Sequence, residues 1–178
     1  GYYCLRMGAV VEEPLFHANP MIIDYAAQHR SDFMDIYIAA KCAFFLGSQS
    51  GLEQVSAMVF RRPIVYVNWL ALEIINSWGP EDLTILKHLV NKTDGRKLRF
   101  REVMESGVGR LEQSYDFEQR GITVVENTPQ EIADVVSELE QRLRKTWEPE
   151  AEDDELQERF WSLVSPSNLQ GVIRSRIG

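Results

Sequence analysis

Residues Ala43 to Trp69 read AFFLGSQSGLEQVSAMVFRRPIVYVNW, and this stretch decides the fold. Ala43, Phe44, Phe45 and Leu46 form a short apolar run, which ends in the small-residue elbow Gly47-Ser48-Gln49-Ser50-Gly51. Leu52, Val55, Ser56 and Val59 follow at helical spacing, and Pro63 opens a second apolar run from Ile64 to Val67. Strand, tight turn, helix and strand in that order make one βαβ unit. Glycine permits the turn, and the serine hydroxyls stand beside amides that a first helical turn leaves unpaired. In a parallel sheet such an elbow lies at the carboxyl ends of the strands, where open α/β sheets bind ligands.

Outward from this unit, Tyr2 to Leu5 reads as a first buried strand, followed by a loop from Ala9 to Pro20 and a short apolar run from Met21 to Ile23. Ser31 or Asp32 caps a helix running to Cys42, with Phe33, Ile36, Tyr37 and Ala40 on one face. Leu70 to Arg96 carries two turn signals, Gly79-Pro80 and Asp94-Gly95, around a mixed run from Leu83 to Val90. Phe100 to Glu105 reads as a helical turn or two, and Ile122 to Val125 as a strand. Thr128-Pro129-Gln130-Glu131 then supplies an N-cap, a first-turn proline and a capping-box glutamate. The stripe Ile132, Val135, Val136, Leu139 and Leu143 carries that helix to about Arg144. An acidic linker leads into a shorter amphipathic helix, Glu155 to Val164, bearing Phe160 and Trp161. Strands alternating with helices predict an α/β fold with a mainly parallel sheet of about four or five strands, a count that suits one half of a two-lobed protein. The expected division is a lobe over 1–146, with the linker and terminal helix over 147–178 packing on or beyond it.

The 178 residues, 44% of them hydrophobic, suffice for one domain with a real core. With 19 basic against 27 acidic residues and a net charge of -8, nucleic acid is not the expected partner, because a phosphate backbone wants a basic face. Much of that charge sits in Glu148, Glu150, Glu152, Asp153, Asp154, Glu155 and Glu158, and the acidic run before Leu156 reads as a solvated linker. Cys4 and Cys42 read as reduced core thiols rather than a bridge, which suits a cytoplasmic setting. No apolar run is long enough to span a bilayer, and no signal peptide is visible. Because Gly1 to Leu5 opens directly on a strand, the expectation is that these residues are one part of a longer protein.

Several chemistries lose support. The elbow has neither the GK[ST] of a Walker loop nor the three-glycine spacing of a dinucleotide fingerprint, and Ser50 does not sit in a G-x-S-x-G nucleophile elbow. His17, His29 and His88 show no metal-ligand spacing, so no metal is expected. His17, in a loop after Phe16, is the one histidine kept as a site candidate. What remains for Gly47 to Leu52 is a cradle for a phosphate or sugar hydroxyl, or a purely structural βα turn. Arg6, just beyond the first strand, fits two roles: a cationic clamp on a diphosphate at the same edge, or an ion pair with Asp24. Asn68, after the Ile64 to Val67 strand, contacts a ligand or caps the turn. Glu53, in the first turn of the elbow helix, either complements the helix dipole or binds a sugar hydroxyl. Trp69, Trp78, Trp147 and Trp161 read as packing residues rather than stacking platforms.

Leu5-Arg6-Met7-Gly8, Met34 to Cys42 running into Phe45 to Leu52, and Pro63 to Trp69 resemble a bacterial family of glycosyltransferases. The likeness continues through Gly95 to Glu102, Glu126-Asn127-Thr128-Pro129 and the Phe160-Trp161 helix, so it covers nearly the whole chain. The resemblance implies a Rossmann-like three-layer α/β/α fold, the C-terminal, donor-binding lobe of a two-lobed GT-B enzyme. Arg6 and Ser48 to Leu52 match the family pattern; His17 matches nothing in it. A nucleotide sugar would be the substrate, held by helix N-termini and basic side chains with no obligatory metal and no cofactor. Surface glycan synthesis would be the pathway class, and the acceptor and catalytic base would belong to an N-terminal lobe outside these residues. The elbow also resembles the phosphate-side loop of nucleotide-sugar 2-epimerases of the same architecture. An epimerase-like enzyme and a non-catalytic binding or scaffold module are therefore the competing expectations.

Overall fold

A computed structural model describes residues 1–73, 75, 78–164 and 176–177. The chain opens with β1 (Cys4–Leu5), β2 (Ile22–Ile23) and the single turn α1 (Tyr25–Gln28), followed by α2 (Asp32–Lys41). The βαβ unit comes next: β3 (Phe45–Gly47), α3 (Leu52–Gln54) continuing as a π-turn over Val55–Val59, and β4 (Ile64–Trp69). β5 (Leu83–Leu86) and β6 (His88–Asn91) are separated by Lys87 alone. Then come α4 (Phe100–Glu105), α5 (Ser114–Gln119), β7 (Ile122–Val125), α6 (Pro129–Arg144), α7 (Asp153–Trp161) and β8 (Arg176–Ile177).

The fold is α/β, and its main sheet is parallel, in the order β3-β4-β5-β8. Leu46 lies beside Val65, and Val65 beside Leu83. β4 is apolar on both faces, as a covered parallel strand must be. Ile64 and Tyr66 join one cluster with Phe45, Phe117 and Phe160, while Val65 and Val67 join another with Val135 and Leu139 of α6. The Thr128 capping box forms as the sequence predicts, and the Ile132 to Leu143 stripe is the surface α6 lays on β4 and β5. α7 contributes Phe160 and Trp161 to the cluster of Ile64 and Tyr66, so the terminal helix packs on the lobe.

Several expectations are corrected. β1 is not a buried strand of the main sheet. It pairs in parallel with β2 as a separate ribbon, Tyr3 and Cys4 are exposed, and Cys42 is half-buried; both thiols are free. β7 pairs antiparallel with β6 rather than joining the parallel sheet. β6 leaves β5 after one residue and turns its edge to β7 and, through Val90, to Lys97.

The α2 face is also corrected. Ser31 caps the helix by accepting from the Met34 amide at 3.3 Å, but Phe33 is 74% exposed and Ile36 and Tyr37 are near half. Ala39 is buried instead. The Ser56 hydroxyl donates to the Ala39 carbonyl at 2.9 Å and Arg62 Nε to the Ala40 carbonyl at 2.7 Å. Only a small side chain admits so close an approach of the π-turn. Asp153 to Glu155, expected in the linker, form the first turn of α7, where acidic side chains suit the helix dipole.

The poorly legible stretch from Leu70 to Arg96, of which residues 74, 76 and 77 lie outside the described ones, is organised by Asp82. Its buried carboxylate accepts from the amides of Trp78 (3.0 Å), Gly79 (2.7 Å) and Ile64 (3.3 Å), tying the loop to the start of β4. Burial pushes its pKa up, against the lowering effect of those three amides.

Candidate functional site

The elbow sits where the βαβ reading puts it, at the carboxyl end of β3, with Ser48 to Gly51 exposed. Gln49 (φ 62°) and Gly51 (φ 94°) both adopt left-handed backbone. Glycine meets that demand at position 51 without strain, whereas Gln49 is held by accepting from the Leu70 amide at 3.3 Å through its side-chain oxygen. Among the described residues the Ser50 and Gly51 amides donate to no acceptor.

Two features of the elbow differ from expectation. The helix after it is one α-turn and then a π-turn, with the Phe60 amide bonding the Val55 carbonyl at 3.2 Å. A π-turn of this kind is a recurrent mark of functional segments, but the aligned dipole of a long α-helix is missing. Glu53 is fully buried under the elbow, so it reaches no ligand on the outside. Its stem lies where a Cβ on Gly47 would have to go, 2.6 Å away, and one carboxylate oxygen accepts from the Ser50 hydroxyl at 2.5 Å. Its other oxygen has no partner among the described residues. The Ser50 side chain is thereby turned inward, and what the elbow offers outward is backbone.

Asn68 is tied into the rim. It has φ 54°, and its amide and side-chain oxygen form a reciprocal pair with Asn127 at 2.6 and 2.7 Å. Asn127 also donates to the Leu86 carbonyl at 2.8 Å, so it joins the carboxyl ends of β4 and β5 to the start of α6. Arg6 likewise stands 3.5 Å from Asp24 and donates to the Glu13 carbonyl at 2.7 Å, while the same Asp24 oxygen accepts from the Leu15 amide. Both residues organise the loop after β1, and no described contact joins Arg6 to the elbow. His17 is exposed and accepts from the Asn19 amide at 2.9 Å, a local turn contact.

Beside the elbow, at the carboxyl ends of β4 and β5, lies a cleft of about 640 Å³ between β5, β6, α4 and α6. Leu70, the residue bound by Gln49, is on its wall. Leu98, Phe100 and Trp147 supply apolar surface, and the Arg142 guanidinium lies 4.9 Å over the Trp147 ring. His88, set aside on sequence, faces this cleft and bonds Glu131 at 2.8 Å through Nε2. The other Glu131 oxygen accepts from the Thr128 amide and hydroxyl. These donors, the amide first, hold the Glu131 carboxyl below its ordinary pKa. The sequence signal for the pair was present but divided: Glu131 is legible as a cap, while the strand that aims His88 at it is not.

Among the described residues no group of three or more His, Cys, Asp or Glu is placed to hold a metal, and no helix is long and apolar enough to cross a membrane. Set against family profiles, curated proteins and solved structures, the chain matches none of them.

Proposed function

We propose that this chain is the nucleotide-sugar-binding lobe of a bacterial glycosyltransferase, a Rossmann-like three-layer α/β/α unit of GT-B type. The observation that carries the reading is the exposed elbow on the carboxyl rim of a parallel sheet, with the Ser50 and Gly51 amides donating to no acceptor among the described residues. Such amides bind a diphosphate oxygen without a metal, and stabilising the departing nucleotide diphosphate would be the lobe's share of catalysis. Asn68, Arg6 and Glu53 then shape the rim rather than touch the donor, and the acceptor and base come from a second lobe.

The test is calorimetric titration with UDP, GDP, CMP, ADP and their sugars in the presence of a chelator. One of them binds, and Gly51→Val weakens it by about tenfold or more, because a β-branched residue cannot hold this backbone. Equal binding by the variant, or no binding by any nucleotide, overturns the proposal. The chain alone is expected to bind donor without turning it over. The Glu53 carboxylate beneath the elbow favours one second reading, a structural turn in a non-catalytic module, and the absence of all nucleotide binding is the outcome that reading requires.

A further inference from the structure

We infer that the exposed face shared by α2 and the π-turn docks the chain on an anionic membrane surface. Met58, Val59 and Phe60 enter the interfacial layer, and Lys41, Arg61 and Arg62 meet lipid phosphates. The inference stands apart from the elbow and does not need the proposed transferase reading.

The apolar part spans two packed elements. Met58 to Arg61 end the π-turn and lead out of it, and all four are exposed, Met58 by 46% and Val59 by 61%. Phe33, Ile36 and Tyr37 form the exposed row of α2, and Lys41 continues that row one turn further on. The two elements meet at their ends, where the Ser56 hydroxyl and Arg62 Nε donate to the carbonyls of Ala39 and Ala40. A single exposed apolar side chain needs no explanation, but a surface continued across two elements marks a contact.

Charge decides what covers it. At the start of α2, Asp32 and Asp35 are matched by Arg30 at 3.4 and 2.9 Å, and Glu53 of the elbow turn is buried. What remains on this face is cationic: among the described residues Lys41, Arg61 and Arg62 form no ion pair. Arg61 also holds φ 54° just past the π-turn, where glycine is the usual residue and would carry no strain, so the arginine is not there for the fold. A symmetric dimer through this face would set three cations against three. Aromatic and aliphatic side chains beside unpaired cations are instead the composition of an interfacial membrane contact. The cations stand just before β3 and β4, at the rim opposite the elbow, so a docked chain keeps its carboxyl rim open to water.

The experiment is flotation of the whole chain with vesicles of phosphatidylcholine alone, or of phosphatidylcholine mixed equally with phosphatidylglycerol. The chain should rise with the mixed vesicles at low salt, be released by added salt, and leave the neutral vesicles bare. Its net charge of -8 gives no general attraction to an anionic bilayer, so flotation reports this face. Arg61→Gly removes a cation where the backbone already suits glycine. Its binding should fall about fivefold with the melting temperature kept or raised. Met58→Ser combined with Val59→Ser should weaken binding by about tenfold or more, and both side chains are exposed enough to change without loss of the fold. No flotation with the mixed vesicles, equal flotation with the neutral ones, or equal flotation by either variant overturns the inference. So does dimerisation in place of flotation, abolished by the Met58 and Val59 substitutions, which would make the face an interface between copies.

Discussion

At position 47 the side chain is missing for a reason that can be measured. A methyl group there would stand 2.6 Å from the Cβ and 2.8 Å from the Cγ of Glu53, and those stem atoms cannot swing aside as a side-chain tip would. Gly47→Ala is therefore expected to destabilise the fold by about 1–3 kcal/mol in urea denaturation, the range for forcing a group into a filled space. Gly51 presents the opposite case, since nothing lies within 4 Å of its virtual Cβ but φ is 94°. Glycine is needed there for backbone conformation alone. In the sequence both were legible as turn glycines. Their different causes were not, because the burial of Glu53 follows from where the chain goes after the turn. The internal partners of Arg6 and Asn68 were illegible for a related reason. Position along a strand predicted the edge they reach, but not that Asp24 and Asn127, a loop or a domain away, would take up their polar groups first.

The best-read element, α6, carries its determinants within one turn of itself. Thr128 accepts from the Glu131 amide at 3.2 Å and Glu131 returns the bond at 2.7 Å. Replacing Thr128 with alanine should cost about 1 kcal/mol by thermal or urea melting. The pH dependence has a definite sign. The folded-state pKa of Glu131 is lowered, so its contribution is complete above the ordinary carboxylate range, and it is lost as pH falls through the lowered value. Melting temperature should decline on acidification through that window, and Glu131→Gln should flatten that part of the decline. Leu139, fully buried between α6 and the sheet, is the packing counterpart: Leu139→Ala should cost about 2–5 kcal/mol. By contrast α2 was legible in its extent but not in its face. Aromatic residues at helical spacing suggested a core stripe, yet close packing against Ser56 selected the alanines, and Phe33 and Tyr37 stack on each other at 6.0 Å on the surface. Periodicity shows that a helix has two faces. Which one is covered depends on the partner's backbone.

Across the whole molecule, the two apolar clusters divide the main sheet between them, of which the sequence showed only the continuous apolar run Ile64 to Val67. The sheet's edges were not visible. The fourth strand comes from residues 176–177, and Phe160, Trp161 and Val164 join the same cluster as Phe45 and Tyr66. Phe160→Ala is accordingly expected to destabilise the entire domain by about 3–5 kcal/mol, seen as one cooperative transition at lower denaturant rather than a separate early step. Two transitions would show that α7 folds apart from the rest. The cleft was hidden for the same reason as the sheet edge. Its walls come from segments as far apart as Leu70 and Trp147, and no local pattern announces a cavity that only long-range pairing creates.

The pairing of β8 with β5 also orders events in the cell. While the nascent chain emerges from the ribosome, Leu83 to Leu86 are made some ninety residues, roughly, ahead of the strand that will flank them. During that interval an apolar parallel strand has one open side, the kind of surface that recruits neighbouring polypeptides or holding chaperones. Arrival of Arg176 and Ile177 beside Leu83 and Thr84 is thus the step that seals this margin.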